Sequence, residues 1–237
     1  MNGTIIQPKN TDDYYLQSLI MAIKEIPDQF IKSGICEYMP PSDICEESLE
    51  NEIRYKKIHL VERVFAYELY RRWQNALWGN EDDLLVSGEI QKKLINDIYN
   101  NAYSFEKNTK NRTIFYPDLV LHHKDFEESK CNMIACEIKR ACNSYHMDKD
   151  FNSLVEYTNP STKRESPFSD FHPYHMGVFV LYGMKNSSNS NDIPSFEKIK
   201  PYAKKVPERF WNNIHCIIYN GEDLEHKTVE DLCNSKV

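Results

Sequence analysis

The sequence predicts one mixed α/β domain, a central sheet with helices packed on it. Three observations predict it. Residues 50–78 carry apolar side chains at helical spacing. Two apolar runs, 113–122 and 131–139, lie close together with only a polar stretch between them. Residues 175–184, HMGVFVLYGM, are almost continuously apolar, as in a strand buried on both faces. The resulting order is helix, three strands, helix, strand, helix, strand, which suits a single layered sheet.

The elements follow in chain order. Leu16, Leu19, Ile20, Ile23 and Ile26 give residues 11–35 a helical stripe, and Thr11 with the acids after it suits a helix start. Residues 36–50, with Pro40 and Pro41, read as a loop. The long helix 50–78 ends at Gly79-Asn80. A strand is expected at 84–90, then helical or irregular chain at 91–104. The strands 113–122 and 131–139 follow, joined by HKDFEESK. A helix is expected at 146–157 and a loop at 159–173, which holds Pro160, Pro167 and Pro173. After the 175–184 strand, NSSNSND (186–192) reads as a solvated linker. A helix near 196–213, a strand at 214–219 and a short helix after Asn220-Gly221 complete the chain. The expected division is an N-terminal helical extension, 1–49, and an α/β domain, 50–237.

Composition narrows the function classes. The 237 residues are 41% hydrophobic and 27% charged, a globular balance. Only 7 are glycine, and no Gly-rich phosphate loop or internal repeat occurs. The net charge of −7 argues against a dedicated nucleic-acid coat protein, although a basic groove can sit on an acidic body. Any non-specific nucleic-acid affinity is expected to be modest and to fall with salt. Seven cysteines without a CxxC pair favour neither a zinc site nor a disulfide framework, and a reducing cytoplasm is expected. No signal peptide is expected, and no run approaches the ~20 apolar residues of a membrane span.

The chemistry is concentrated in PDLVLHHKDFEESKCNMIACEIK, 117–139. Alternation puts Asp118, Val120 and His122 on one strand face, and Ala135, Glu137 and Lys139 on one face of the next. Paired strands would let Asp118, Glu137 and Lys139 converge. Isolated buried charges are costly. A hard divalent cation removes the cost, because it takes carboxylate and carbonyl oxygens.

Pro117-Asp118 followed by Glu137-Ile138-Lys139 resembles the motif of the PD-(D/E)XK nuclease superfamily, whose core is restriction-endonuclease-like. VERVFAYELYRRW (61–73) resembles the core helix that supplies a glutamate. VSGEIQK (86–92), DFNSLVEYT (150–158) and HMGVFVLYG (175–183) fall where the family's first strand, following helix and next strand belong. The resemblance runs from about 50 to 220 and leaves the first 45 residues without a counterpart.

The resemblance implies a metal-dependent nuclease hydrolysing phosphodiester bonds, with DNA the expected substrate and RNA the alternative. Mg2+ or Mn2+ would be held by Asp118, Glu137 and the backbone carbonyl of Ile138. Lys139 would serve the attacking water or the phosphate charge, and a helix glutamate would complete the set. At about 100° per residue, Glu62 falls in the middle of the apolar stripe of Ile58, Val61, Phe65, Leu69, Trp73 and Ala76, and Glu68 on its flank. Glu62 is therefore the first candidate and Glu68 the second.

Other polar residues have plainer explanations. His122 and His123 read as strand-end histidines, and Asp148 and Lys149 as helix-start chemistry. Arg140 is given no role. Lys198, Lys200, Lys204, Lys205 and Arg209, interleaved with Tyr202, Phe210 and Trp211, read as a solvated helix face, with a phosphate-tracking surface as the alternative. The competing function is a catalytically inactive nuclease-like fold that binds nucleic acid or a protein. A homodimer through the N-terminal helices is a further expectation, and no membrane partner is expected.

Overall fold

The computed structural model describes residues 11–32, 47–77, 84–88, 117–123, 132–142, 147–158, 173–185, 187 and 190–235. Among these residues six strands form one sheet in chain order: β1 (Leu84–Gly88), β2 (Leu119–His123), β3 (Asn132–Arg140), β4 (Met176–Tyr182), β5 (Ile214–Tyr219) and β6 (Leu224–Thr228). β1, β2 and β3 are mutually antiparallel, β3, β4 and β5 are parallel, and β6 returns antiparallel to β5. The two parallel steps need crossovers, and helices α4 (Met147–Thr158) and α5 (Phe196–Ala203) lie in them. The remaining helices are α1 (Thr11–Lys24), α2 (Asp28–Lys32), α3 (Glu47–Leu77) and α6 (Val229–Asn234).

Alternation along the strands sorts the core into two layers. Ile134, Cys136 and Ile138 of β3, with Val178, Val180 and Tyr182 of β4, meet α1 and α3. Ala135, Phe179 and Leu181 point the other way, onto Phe151 and Leu154 of α4 and Ile199 and Ala203 of α5. The sheet is therefore covered on both faces, which is why β4 is buried from end to end.

On α3 the buried stripe is Phe65, Leu69, Trp73 and Leu77, four residues apart. Phe65 stacks on Tyr182 with ring centroids 3.8 Å apart. Trp73 donates its indole N–H to Ser18 Oγ at 2.9 Å, and Ser18 donates to the Tyr15 carbonyl at 2.7 Å. The N-terminal α1 thus shares one core with the sheet. Gln74 Oε1 accepts the Val86 N–H at 2.9 Å, so α3 also reaches the β1 backbone at the outer side of the described sheet. Truncating Trp73 to alanine is expected to cost about 3–5 kcal/mol, read as a lower urea midpoint at unchanged slope.

The helical stretch expected over 11–35 is broken before Pro27 into α1 and α2, and three further expectations are revised at the level of elements. The helix near 196–213 stops at Ala203, and Glu208–Phe210 form only a short 3-10 turn. Pro207 disfavours helical backbone at the residue before it. The chain after Asn220-Gly221 runs first into β6 and only then into α6. Gly221 takes φ +92°, and Asn220 Oδ1 accepts the N–H groups of Glu222 and Asp223, closing a tight turn. The 186–192 linker contains a 3-10 turn, Ser190–Asp192, whose Asp192 is buried. The expected helical or irregular stretch 91–104 and the loop 159–172 lie outside the described residues.

The β5–β6 hairpin carries a paired-histidine contact. His215 Nδ1 and His226 Nε2 are 2.8 Å apart with the rings stacked. Burial, with the neighbouring His226, depresses the His215 pKa to about 4 from the ordinary 6.5. A base with a depressed folded-state pKa binds more protons when unfolded, so stability is complete above pH 6.5 and is lost as pH falls toward 4. The expected loss is about 1–3 kcal/mol, partial exposure screening some of it. His215→Phe should flatten the melting temperature between those two pH values; an unchanged slope would assign the acid sensitivity to other groups.

Candidate active site

The end of β3 gathers the charged side chains. Asp118 is half-buried, just before β2. Its N–H donates to the Cys136 carbonyl at 2.9 Å, and its Oδ2 accepts the Ile138 N–H at 2.8 Å. The carboxylate therefore takes a place on β3 that a ladder carbonyl would otherwise fill. Glu137 and Lys139, with Ala135, project toward α4, and both are buried.

Glu62 approaches from the opposite layer. Its Oε1 accepts the Arg140 N–H at 3.1 Å, and its Oε2 lies 4.0 Å from Lys139 Nζ. Glu68 goes elsewhere: Arg71 donates two hydrogen bonds to it, at 2.7 and 3.1 Å, and Arg72 a third at 2.6 Å. The Arg71 hydrogen bond holds its pKa below the usual carboxylate value, with Arg72 adding and burial opposing. Of the two helix acids, Glu62 is the one brought to Lys139.

A fourth carboxylate joins them. Asp150 of α4 is 8% exposed, and its Oδ2 lies 3.3 Å from Lys139 Nζ. Sequence reasoning stopped at Asp148 and Lys149 and missed it. The available signal was the helical stripe Met147, Asp150, Leu154, Tyr157, all four buried; an acid among apolar positions marks a charge kept for a partner. Asp148 itself is exposed and paired with Lys205 at 2.7 Å, as helix-start chemistry would have it.

The electrostatics show how crowded this point is. Burial pulls Lys139 toward its neutral form, yet Glu62, Asp150 and Asp118 outweigh it, and its pKa stands above the usual lysine value. Burial, abetted by Asp118 and Glu62, raises Asp150 to about 6 although Lys139 opposes the shift. Glu137 and Asp118 both act on the Tyr157 hydroxyl of α4, whose pKa burial already drives upward. One ammonium thus stands among several acids. The next residue on β3, Arg140, points to the α3 side and forks onto Asp192 with both bonds at 2.9 Å.

The remaining candidates are placed away from this point. His122 Nε2 is 2.8 Å from Ser87 Oγ, a satisfied strand histidine. Lys198 is tied to the carbonyls of Ser190, Asn191 and Ile193, and Lys200 to that of Ser235. Lys205 and Arg209 also lie over the rings of Tyr202 and Phe210. The basic run is largely committed to its own fold.

Among the described residues, no three or more His, Cys, Asp or Glu side chains are grouped so that they could hold a metal ion, and no helix is long and apolar enough to cross a membrane. Comparison of the chain with protein-family models, curated proteins and solved structures finds no match.

Proposed function

We propose that the chain is a metal-dependent nuclease with Asp118, Glu137, Lys139 and Glu62 at its centre, in a restriction-endonuclease-like core. One observation carries the reading. A buried lysine on β3 is faced by acids from both helical layers, with Asp118 pinned beside it by a strand N–H. Surplus negative charge at low exposure favours a divalent cation. The donors are hard oxygens, which fits Mg2+ or Mn2+: Asp118, Glu137 and the Ile138 carbonyl would hold it, with Glu62 beside them. Such a cation polarises a phosphoryl oxygen and acidifies bound water.

The residues do the rest. Asp118 is kept in place by Ile138 N–H, so its second oxygen is left for a ligand. Glu62 fixes the end of β3 through Arg140 N–H and draws Lys139 toward the same point. Lys139, held charged, supplies a hydrogen-bond donor and a positive charge where the phosphate gains negative charge, not a base. The expected substrate is DNA, with RNA as the alternative. Cys136, Cys142, Cys216 and Cys233, which are thiols and not disulfides, suit the cytoplasmic location included in this reading. A homodimer through the N-terminal helices would use the outer side of α1, where Met21 is exposed, because the inner side is in the chain's own core.

The test is incubation with plasmid, single-stranded DNA and RNA in Mg2+, Mn2+ or chelator. Cleavage that chelator abolishes is expected. Asp118→Asn retains a carbonyl oxygen for the Ile138 N–H, so it should fold normally and lose at least about 100-fold in rate. Binding of nucleic acid with no cleavage under any metal condition would replace the enzyme by a binding module.

A further inference from the structure

We infer that Asp150 is a positioning residue that fixes the Lys139 ammonium, an inference that rests on the nuclease reading above. A helix N-terminus favours acids, and that accounts for exposed Asp148. It does not account for Asp150, which is 8% exposed in a stripe that otherwise packs on the sheet. Its Oδ2 is buried without a hydrogen bond, yet sits 3.3 Å from Lys139 Nζ. The contact is an ion pair of poor direction, and it accounts for a buried carboxylate at this position.

Its partner explains the arrangement. Lys139 lies on a long flexible stem. Glu62 reaches its ammonium from α3 and Asp150 from α4, so the charge is held between the two layers at the end of β3. Removing Asp150 takes away the counter-charge on the α4 side and leaves Glu62 of α3, with Asp118, to draw the ammonium. A displacement of about 1 Å in such a group costs on the order of 100-fold in rate.

Asp150→Asn is therefore expected to lower kcat by about 10- to 100-fold with KM little changed. Asp150→Glu should recover part of the loss. In a Lys139→Ala background Asp150→Asn should cost nothing further, since it acts through that lysine. Mn2+ affinity by calorimetry should be unchanged.

A metal-free readout stands apart from activity. The Lys139 ammonium should give a protected signal in a lysine-selective nitrogen–proton spectrum, assigned by its absence in Lys139→Ala and lost in Asp150→Asn. A signal that persists in Asp150→Asn overturns the inference, whether or not the protein cuts anything. So does a tenfold loss of Mn2+ affinity, which would make Asp150 a metal ligand. An inactive Lys139→Ala beside a fully active Asp150→Asn sinks this inference alone. A fully active Lys139→Ala sinks the nuclease reading and leaves Asp150 no reaction to serve.

Discussion

Lys139→Ala is expected to abolish metal-dependent cleavage, by on the order of 10²–10³-fold or more, while the protein stays folded. The magnitude follows from where the charge sits. Lys139 is 8% exposed, and in such surroundings a preformed charge acts on a developing phosphate charge far more strongly than in water. Water entering the truncated site cannot restore it. The fold should tolerate the change, because the acids left behind can take up protons or a metal. The measurements are cleavage rate at saturating Mg2+, nucleic-acid affinity and melting temperature. Loss of rate with melting and affinity kept is the expected pattern; wild-type rate in this variant would end the enzymatic reading.

Asp192→Ala is expected to be the most destabilising single change among the charged residues, by about 3–5 kcal/mol. Arg140 is 3% exposed and Asp192 5%, and the two are joined by a forked pair of hydrogen bonds. Deleting the acid leaves a guanidinium buried without its counter-charge. Replacing both residues with apolar ones of similar volume should recover most of the loss, since a buried pair contributes little net stability over good packing. Urea midpoints of the single and double variants decide the matter; equal losses in both would assign the effect to shape alone. Gly183 belongs to the same junction. A side chain there would run into the Asp192 backbone, so Gly183→Ala should also loosen it.

Some of this was readable from residue order. The stripe on α3 and the apolar run of β4 follow from burial, which imposes a period of 3.6 on helices and continuous apolarity on a strand covered twice. Glu137 and Lys139 could be placed on one strand face by alternation, whereas bringing Asp118 to them required that the two strands pair; in the structure Asp118 stands just before β2. Less readable was β6, whose LEHKT is too polar to resemble a strand: among the described residues it pairs on one side only, with β5, and its pattern reflects an edge. Arg140 likewise gave no sign of its role, because Asp192, its partner, is 52 residues away in a segment that looks like a linker.

Asp150 shows the same limit at the site. Its neighbours in the chain suggest a helix start, and only packing α4 against β3 gives it a lysine to face. Choosing Glu62 over Glu68 had a local basis in the helical stripe, but the tertiary structure supplied the contrast, by giving Glu68 two arginines and Glu62 the end of β3.

Residue order alone determined the layered α/β class and the short list of charged positions at and around β2 and β3, because periodicity and side-chain alternation are properties of the backbone that any packing must respect. Tertiary structure decided which acids meet the lysine, which arginine is removed from it, and how the chain after Gly221 is used. Those outcomes depend on contacts between residues far apart in the chain, where Coulomb interaction and desolvation act over a few ångströms of space and are blind to sequence distance.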